Sequence, residues 1–231
     1  MIYLRNIAFY LAFYLGSVFF VLAAVLATNR RFLRASCDNW SRWHRRCCTA
    51  LLGIEVRETG ARPVGTALYA IKHESFFEAI EVPSLFDFPA GFAKRELFEI
   101  PGWGRAARAY GAIPVARDQG AKALRQMVRD VQPNVAAGRP IVIFPEGTRV
   151  PHGQRPVLQA GFAALYKLLG IPVVPVAVDS GPIYQRRWKT RGTITLHFGE
   201  PIPPGLPRAE VEERVREAIN CLNTPLGETA P

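Results

Sequence analysis

The sequence has little with which to hold a metal. Its 231 residues include four cysteines and four histidines. Cys37, Cys47, Cys48 and Cys221 form no Cys-x-x-Cys pair, and His44, His73, His152 and His197 form no His-Glu-x-x-His or similar zinc spacing. The cysteines read as reduced thiols, buried or facing a membrane, and no metal site is expected. Ser75 sits in no Gly-x-Ser-x-Gly elbow, which argues against a serine nucleophile of that type. No internal repeat or low-complexity tract is present. Acidic residues are also scarce: 19 Asp and Glu stand against 29 Lys and Arg, a formal net charge of +10. Such a balance suits nucleic acid, an anionic membrane surface or a phosphorylated substrate, and the distribution of the charges must decide.

Charge is missing altogether between Ile7 and Ala27. At helical rise that run covers roughly 31 Å, about the thickness of a bilayer's hydrocarbon core. Val25 and Ala27 could mimic a signal-peptidase site, but the charges oppose export. Arg5 precedes the run, whereas Arg30, Arg31, Arg34, Arg42, Arg45 and Arg46 follow it. That asymmetry predicts a retained signal anchor with the following residues on the cytoplasmic side, a shallow or re-entrant helix being the alternative. From Asn29 to Leu52, Trp40 and Trp43 alternate with Arg42, Arg45 and Arg46, which predicts a basic helix lying at the membrane interface. The same residues could stack on single-stranded nucleic acid. Beside the long apolar run the membrane reading is the stronger, and no nucleic-acid partner is expected.

From Gly53 onward, short apolar strands alternate with amphipathic helices. Strands are expected at Leu68–Ile71, Gly91–Lys94, Gly111–Ala116, Pro140–Phe144, Val173–Val178 and Thr193–Phe198, the last with one face wet. Helices are expected at Phe76–Leu85, Gln159–Leu169 and Arg208–Leu222. A further helix over Gln119–Ala137 has Asp118 as its N-cap, Gly138 as its stop and Pro133 as a possible bend. The stretch Gly-Trp-Gly-Arg-Ala-Ala-Arg-Ala-Tyr-Gly reads as a lead into the third strand. The alternation predicts an α/β fold, a mixed sheet flanked by helices.

Three segments carry candidate chemistry. His73 directly follows an apolar strand, and Glu78 lies five positions on. On one ideal helix their side chains would point about 140° apart. They meet only if His73 stays in the turn and Glu78 sits one turn inside the helix. A carboxylate there would orient the imidazole and stabilise its charged form. A helix-start histidine beside a solvated glutamate fits the same spacing, so geometry must decide. The second segment, Ile141–Arg149, is a buried strand running into Pro145-Glu146-Gly147-Thr148-Arg149. Gly147 permits a tight turn, Thr148 adds a hydroxyl, and the Arg149 guanidinium suits a phosphate. The third, Gly111–Arg117, again delivers an arginine at a strand end, and Lys94 and Arg95 close another strand. Each cation alone reads equally as a surface residue.

Together these segments resemble the glycerolipid acyltransferase family, most closely its bacterial 1-acylglycerol-3-phosphate acyltransferases. The resemblance rests on His73 with Glu78, Gly111 with Arg117, Phe-Pro-Glu-Gly-Thr-Arg at Phe144–Arg149, and Val174-Pro175-Val176, in that order, and covers roughly Leu68 to Pro203. Glu78 stands where Asp is commoner, Pro114 where Phe is frequent, and Gln159 where Lys is frequent. The resemblance implies His73 as the base that deprotonates the acceptor hydroxyl and Glu78 as its orienting acid. It implies Lys94, Arg117 and Arg149 in a basic groove for the substrate phosphate, and Gly111, Glu146, Gly147 and Thr148 as further parts of the substrate site. The donor would be acyl-coenzyme A or an acyl-carrier protein, with no other cofactor, and the acceptor a lysophospholipid in a bacterial inner membrane. Backbone N–H groups near the start of the helix at Phe76 are expected to hold the tetrahedral intermediate. The chain would then divide into a membrane helix and interfacial helix (1–52), an acyltransferase domain (53–222) and a C-terminal tail (223–231). Three rivals remain: another acceptor such as a lyso-aminolipid or glycerol 3-phosphate, a lipid hydrolase, and a non-enzymatic binder.

Overall fold

A computed structural model describes residues 1–63, 65–115 and 120–223. The chain begins with helices α1 (Ile2–Val25) and α2 (Arg30–Cys47), then a π-helical turn at Cys48–Leu52. Next come β1 (Ile54–Thr59), β2 (Leu68–Ile71), α3 (Phe77–Leu85), β3 (Ala90–Lys94) and a 3-10 turn at Arg95–Glu99. They are followed by α4 (Trp103–Tyr110), β4 (Ile113–Val115), α5 (Gly120–Ala136) and β5 (Ile141–Ile143). The chain continues through α6 (Ala160–Leu169), β6 (Val173–Val178), α7 (Gly181–Tyr184), β7 (Gly192–Phe198) and α8 (Arg208–Ile219). These elements form two compact units, Met1–Gly53 with Ile80–Ile141, and Ile54–Ala79 with Val142–Pro231. The N-terminal helices therefore share a unit with residues 80–141. The expected cap at Asp118 and the tail beyond Asn223 lie outside the described residues.

In the first unit α1 is long and apolar enough to cross a membrane, with a mean hydropathy of 2.2 over its most apolar window. It buries one narrow stripe, Asn6, Phe9 and Phe13, and leaves Leu11, Leu15, Val18 and Leu22 exposed. The buried stripe packs on α2. Asn29 caps α2 by accepting the Phe32 N–H at 2.8 Å. The two tryptophans expected at headgroup level instead turn their indole N–H groups onto α1. Trp40 donates to Ser17 Oγ at 2.9 Å and Trp43 to the Ala12 carbonyl at 3.1 Å. Gly16 makes room for this: a Cβ there would stand 2.1 Å from Trp43 Nε1. Arg45 is likewise turned inward, pairing with the buried Glu81 at 2.6 Å, and His44 meets the same carboxylate at 3.1 Å. Arg45 thus departs from the interfacial expectation, while Trp40 and Trp43 stay half-exposed. Intramolecular partners satisfy the indoles and Arg45, while Arg42 and Arg46 stay exposed.

The ten-residue lead into β4 proves to be largely helical. Tyr110 closes α4 and donates to Asp38 of α2 at 2.8 Å. Arg139 fastens the end of α4 to the chain before β3, donating to the carbonyls of Phe88, Pro89 and Tyr110, each at 2.8 Å. β3 and β4 pair in parallel, Phe92 opposite Ile113.

The second unit orders its strands β1-β7-β6-β2-β5. β1 and β7 run parallel, β7 and β6 antiparallel, and β6 and β2 parallel, so the sheet is mixed as expected. β2 and β6 are buried along their whole length, which matches their unbroken apolar sequences. β7 alternates: Ile194, Leu196 and Phe198 are buried and the residues between are half-exposed. β1, Ile-Glu-Val-Arg-Glu-Thr, was not expected as a strand. It lies at the edge, where charged side chains can face water and discourage further pairing. Val211, Val215 and Ile219 of α8 bury one face of that helix against β6.

Candidate active site

The second unit draws its candidate site from the chain that follows β2, β5 and β6. After β2, Ser75-Phe76-Phe77-Glu78 carries the Ser-x-x-Glu pattern that starts a helix. The reciprocal bonds of that pattern form: Phe77 N–H donates to Ser75 Oγ at 3.0 Å, and Ser75 N–H donates to Glu78 Oε1 at 2.7 Å. This cap bends the Glu78 side chain back over the turn. His73 stays outside the helix, and its Nδ1 comes to 3.0 Å from Glu78 Oε1. Glu78 is fully buried, while the His73 side chain keeps 16% of its surface exposed. With Nδ1 engaged, the free ring nitrogen is Nε2, as a general base requires.

Each neighbour removes a freedom from His73. Its ring stacks on Phe144 at 4.2 Å between centroids. Its N–H donates to Glu146 Oε2 at 3.0 Å, and its carbonyl accepts the Val150 N–H at 2.7 Å. Glu78 accepts further hydrogen bonds from Glu74 N–H at 2.5 Å, Ser180 Oγ at 2.7 Å and Ser75 Oγ at 3.1 Å. A buried carboxyl group with this many donors is held in one orientation. The expectation of oxyanion donors near Phe76 is narrowed here. The amides of Glu74, Ser75 and Phe77 are already committed to Glu78 and Ser75, so these three are not open to a tetrahedral intermediate.

Phe144–Arg149 divides into a buried and an exposed half. Glu146 is buried, and its Oε1 accepts Lys72 Nζ at 2.6 Å. Lys72 also donates to the Gln154 carbonyl at 3.1 Å. Glu146 thus supports the backbone of His73 from within the protein. Gly147 turns the chain at φ +72°, where a Cβ would meet Gln159 Cγ at 2.7 Å. Thr148 and Arg149 then emerge into solvent. The Arg149 guanidinium lies 4.0 Å over the ring of Phe76, itself 58% exposed. Stacking leaves the edge of the guanidinium, with its N–H groups, free to meet an anion.

His73, Glu78, Glu146, Gly147, Thr148 and Arg149 therefore come together in one unit. Lys94, the exposed last residue of β3, and Gly111 belong to the other unit. Gly111 is the left-handed cap of α4 at φ +109°, and the Arg139 guanidinium occupies the space a Cβ would need. Arg117 lies outside the described residues. Lys72, Ser180, Glu74 and His152 were not singled out from the sequence. The Ser-x-x-Glu pattern was there to be read and would have placed Glu78. Nothing local to Ser180 points across the sheet to Glu78.

The chain is similar to known proteins in sequence and in fold. Residues 53–179 match the acyltransferase family model. The chain is 32% identical over 205 residues to a 1-acyl-sn-glycerol-3-phosphate acyltransferase of Pseudomonas aeruginosa, covering 85% of this chain and 79% of that one. It is 27% identical over 209 residues to a lyso-ornithine lipid O-acyltransferase of the same organism, covering 81% and 78%. Its fold matches the crystal structure of the 1-acyl-sn-glycerophosphate acyltransferase of Thermotoga maritima with a TM-score of 0.74 at 22% identity, over the full length of both. The capped His73–Glu78 pair, the Phe144–Arg149 loop beside it and these likenesses lead to one conclusion: the chain belongs to the acyltransferase family.

Proposed function

We propose that the protein transfers a fatty acyl group from acyl-coenzyme A or an acyl-carrier protein to the free hydroxyl of 1-acyl-sn-glycerol 3-phosphate. The product is phosphatidic acid, a precursor of phospholipids. The observation that carries the proposal is the His73 Nδ1–Glu78 contact at 3.0 Å with the exposed Arg149 on the loop that braces His73. His73 Nε2 takes the hydroxyl proton as the oxygen attacks the thioester carbonyl. The carbon–sulfur bond then breaks, and the imidazolium returns its proton to the departing thiolate. Glu78 stabilises the transient imidazolium. Arg149 would receive the phosphate. Purified protein in detergent, given an acyl thioester and a panel of acceptors, tests the reading. Lysophosphatidate should be the preferred acceptor. Preference for a lyso-ornithine lipid would favour the second reading, which the Pseudomonas lyso-ornithine lipid O-acyltransferase supports. Release of free fatty acid without an acceptor would mean a hydrolase.

Arg149→Ala should lower kcat/KM for lysophosphatidate by about 10- to 100-fold, the scale of a lost charged hydrogen bond. The loss on an uncharged monoacylglycerol should be much smaller, because the partner of that bond is then missing. Equal losses on both acceptors would make Arg149 structural.

The membrane is part of the proposal. An amphiphilic acceptor that stays in the bilayer avoids exposing its chain to water, which costs about 0.8 kcal/mol per methylene. The exposed face of α1 would anchor the protein in the inner membrane, with the catalytic residues on the cytoplasmic side. Replacing Leu11, Leu15, Val18 and Leu22 together by glutamine leaves the buried Phe9 and Phe13 in place. That variant should move from the membrane pellet toward the soluble fraction and turn over bilayer substrate more slowly. Unchanged retention would contradict anchoring by this face. Exposed Cys221 should be protected from an impermeant thiol reagent in intact cells.

A further inference from the structure

Beside the catalytic dyad lies a second histidine and carboxylate that the mechanism above leaves unused. Glu74 is buried, and its two oxygens are both engaged. Oε1 faces His152 Nδ1 at 2.9 Å, and Oε2 accepts the Gly181 N–H at 2.8 Å. The three segments involved are those that form the site. Glu74 follows β2 next to His73, His152 lies three residues beyond Arg149 after β5, and Gly181 follows Ser180 after β6. Glu78 ties the first segment to the third, and Glu146 ties the first to the second. Glu74 joins all three.

We infer that Glu74 and His152 are positioning residues, a second histidine–carboxylate pair that holds the turn carrying His73 against the loop carrying Arg149; this rests on the acyl-transfer reading above. The charges around the pair are few. Glu74 is faced by His152 and, across the turn, by Glu78, and His152 is also influenced by Asp179. His73 lies on the other side of Glu78, and Lys72 neutralises Glu146. Burial pushes the Glu74 carboxyl up to about 7, against the opposing pull of the Gly181 N–H and His152. The folded protein therefore holds the Glu74 proton more tightly than the unfolded chain does. Folding stability from this group falls as pH rises from about 4.5 to about 7. The charged form that accepts from both donors is kept at a desolvation cost, which stability alone does not call for. A proton on Oε2 displaces the Gly181 N–H, and a proton on Oε1 turns the charged bond to His152 into a neutral one, so the clamp loosens as pH falls through about 7.

The test is the pH dependence of kcat and KM in wild type, Glu74→Gln, His152→Leu and His152→Asn. His152→Leu should lower kcat by about 10-fold, the scale of one lost charged hydrogen bond. His152→Asn should recover most of it, because an amide NH2 can stand where Nδ1–H stood. In wild type His73 must be unprotonated, and protonation of Glu74 adds a loss of about 10-fold, so log kcat should fall with a slope steeper than about one over the first pH unit below about 7. In Glu74→Gln the slope should drop to about one. Wild-type kcat in His152→Leu, or an unchanged slope in Glu74→Gln, would overturn the inference. Glu74→Gln keeps the side chain's shape, so its slope decides the matter if His152→Leu does not fold. Should wild type reject lysophosphatidate, the acceptor reading fails in that enzyme alone, and the series is run on the lysolipid it does accept.

Discussion

Replacing His73 by alanine should lower the rate of acyl transfer by about 100-fold or more in a protein that stays folded, the usual scale for a positioned general base. The side chain is partly exposed, so its loss leaves only a small void beside Phe144. Backbone bonds from His73 to Glu146 and Val150 survive the change. Folding and chemistry are thus separable at this position. Glu78 is different. Its carboxylate accepts from two backbone amides and two hydroxyls as well as facing the imidazole. Glu78→Gln would turn an NH2 toward some of those donors and should be badly impaired. Glu78→Asp keeps the acceptors and should retain more activity than Glu78→Gln. Initial rates, with circular dichroism to confirm folding, check both. Near-normal turnover in folded His73→Ala would remove the base from the mechanism.

The second large effect is on stability. Lys72 and Glu146 are both fully buried and meet at 2.6 Å. Removing either partner leaves a charge without its counter-ion, which costs about 3–5 kcal/mol. Lys72→Ala and Glu146→Ala should therefore each shift a denaturation midpoint sharply downward. The double variant Lys72→Met/Glu146→Leu removes both charges and keeps apolar volume. It should recover a large part of the stability, because an apolar pair often replaces a buried ion pair at little cost. Its activity should not recover, since the His73 N–H loses Glu146 Oε2 as its acceptor. Chemical denaturation in detergent beside a rate measurement separates the two. A double variant no more stable than the singles would contradict this account of the pair.

What could be read from the sequence followed local rules. The central strands β2 and β6 announced themselves as unbroken apolar runs, and β7 as an alternation. The condition for a His73–Glu78 contact, a histidine left in the turn with the acid one turn inside, is the geometry observed. What escaped depended on distant partners. The charged edge strand β1 takes its pairing from β7, far along the chain, and its apolar–polar alternation, Ile54 to Arg57, is only four residues long. α4 was hidden by glycines at both ends of an alanine-rich stretch. Trp40, Trp43 and Arg45 carry the composition of a lipid-facing helix, yet Ser17, Ala12 and Glu81 claim their donors. The same holds for Glu74, which gains its meaning only when the loops after β5 and β6 bring His152 and Gly181 to it.

The central claim is direct transfer driven by His73, and one balance sheet of products tests it. Purified wild-type protein would be given a thioester with a labelled acyl chain and lysophosphatidate, while released thiol, labelled phosphatidic acid and free fatty acid are followed together. Thiol and phosphatidic acid should appear in equal amounts, only when lysophosphatidate is present, and should nearly vanish in His73→Ala. Thiol release matched by free fatty acid, or undiminished phosphatidic acid from folded His73→Ala, would contradict the account.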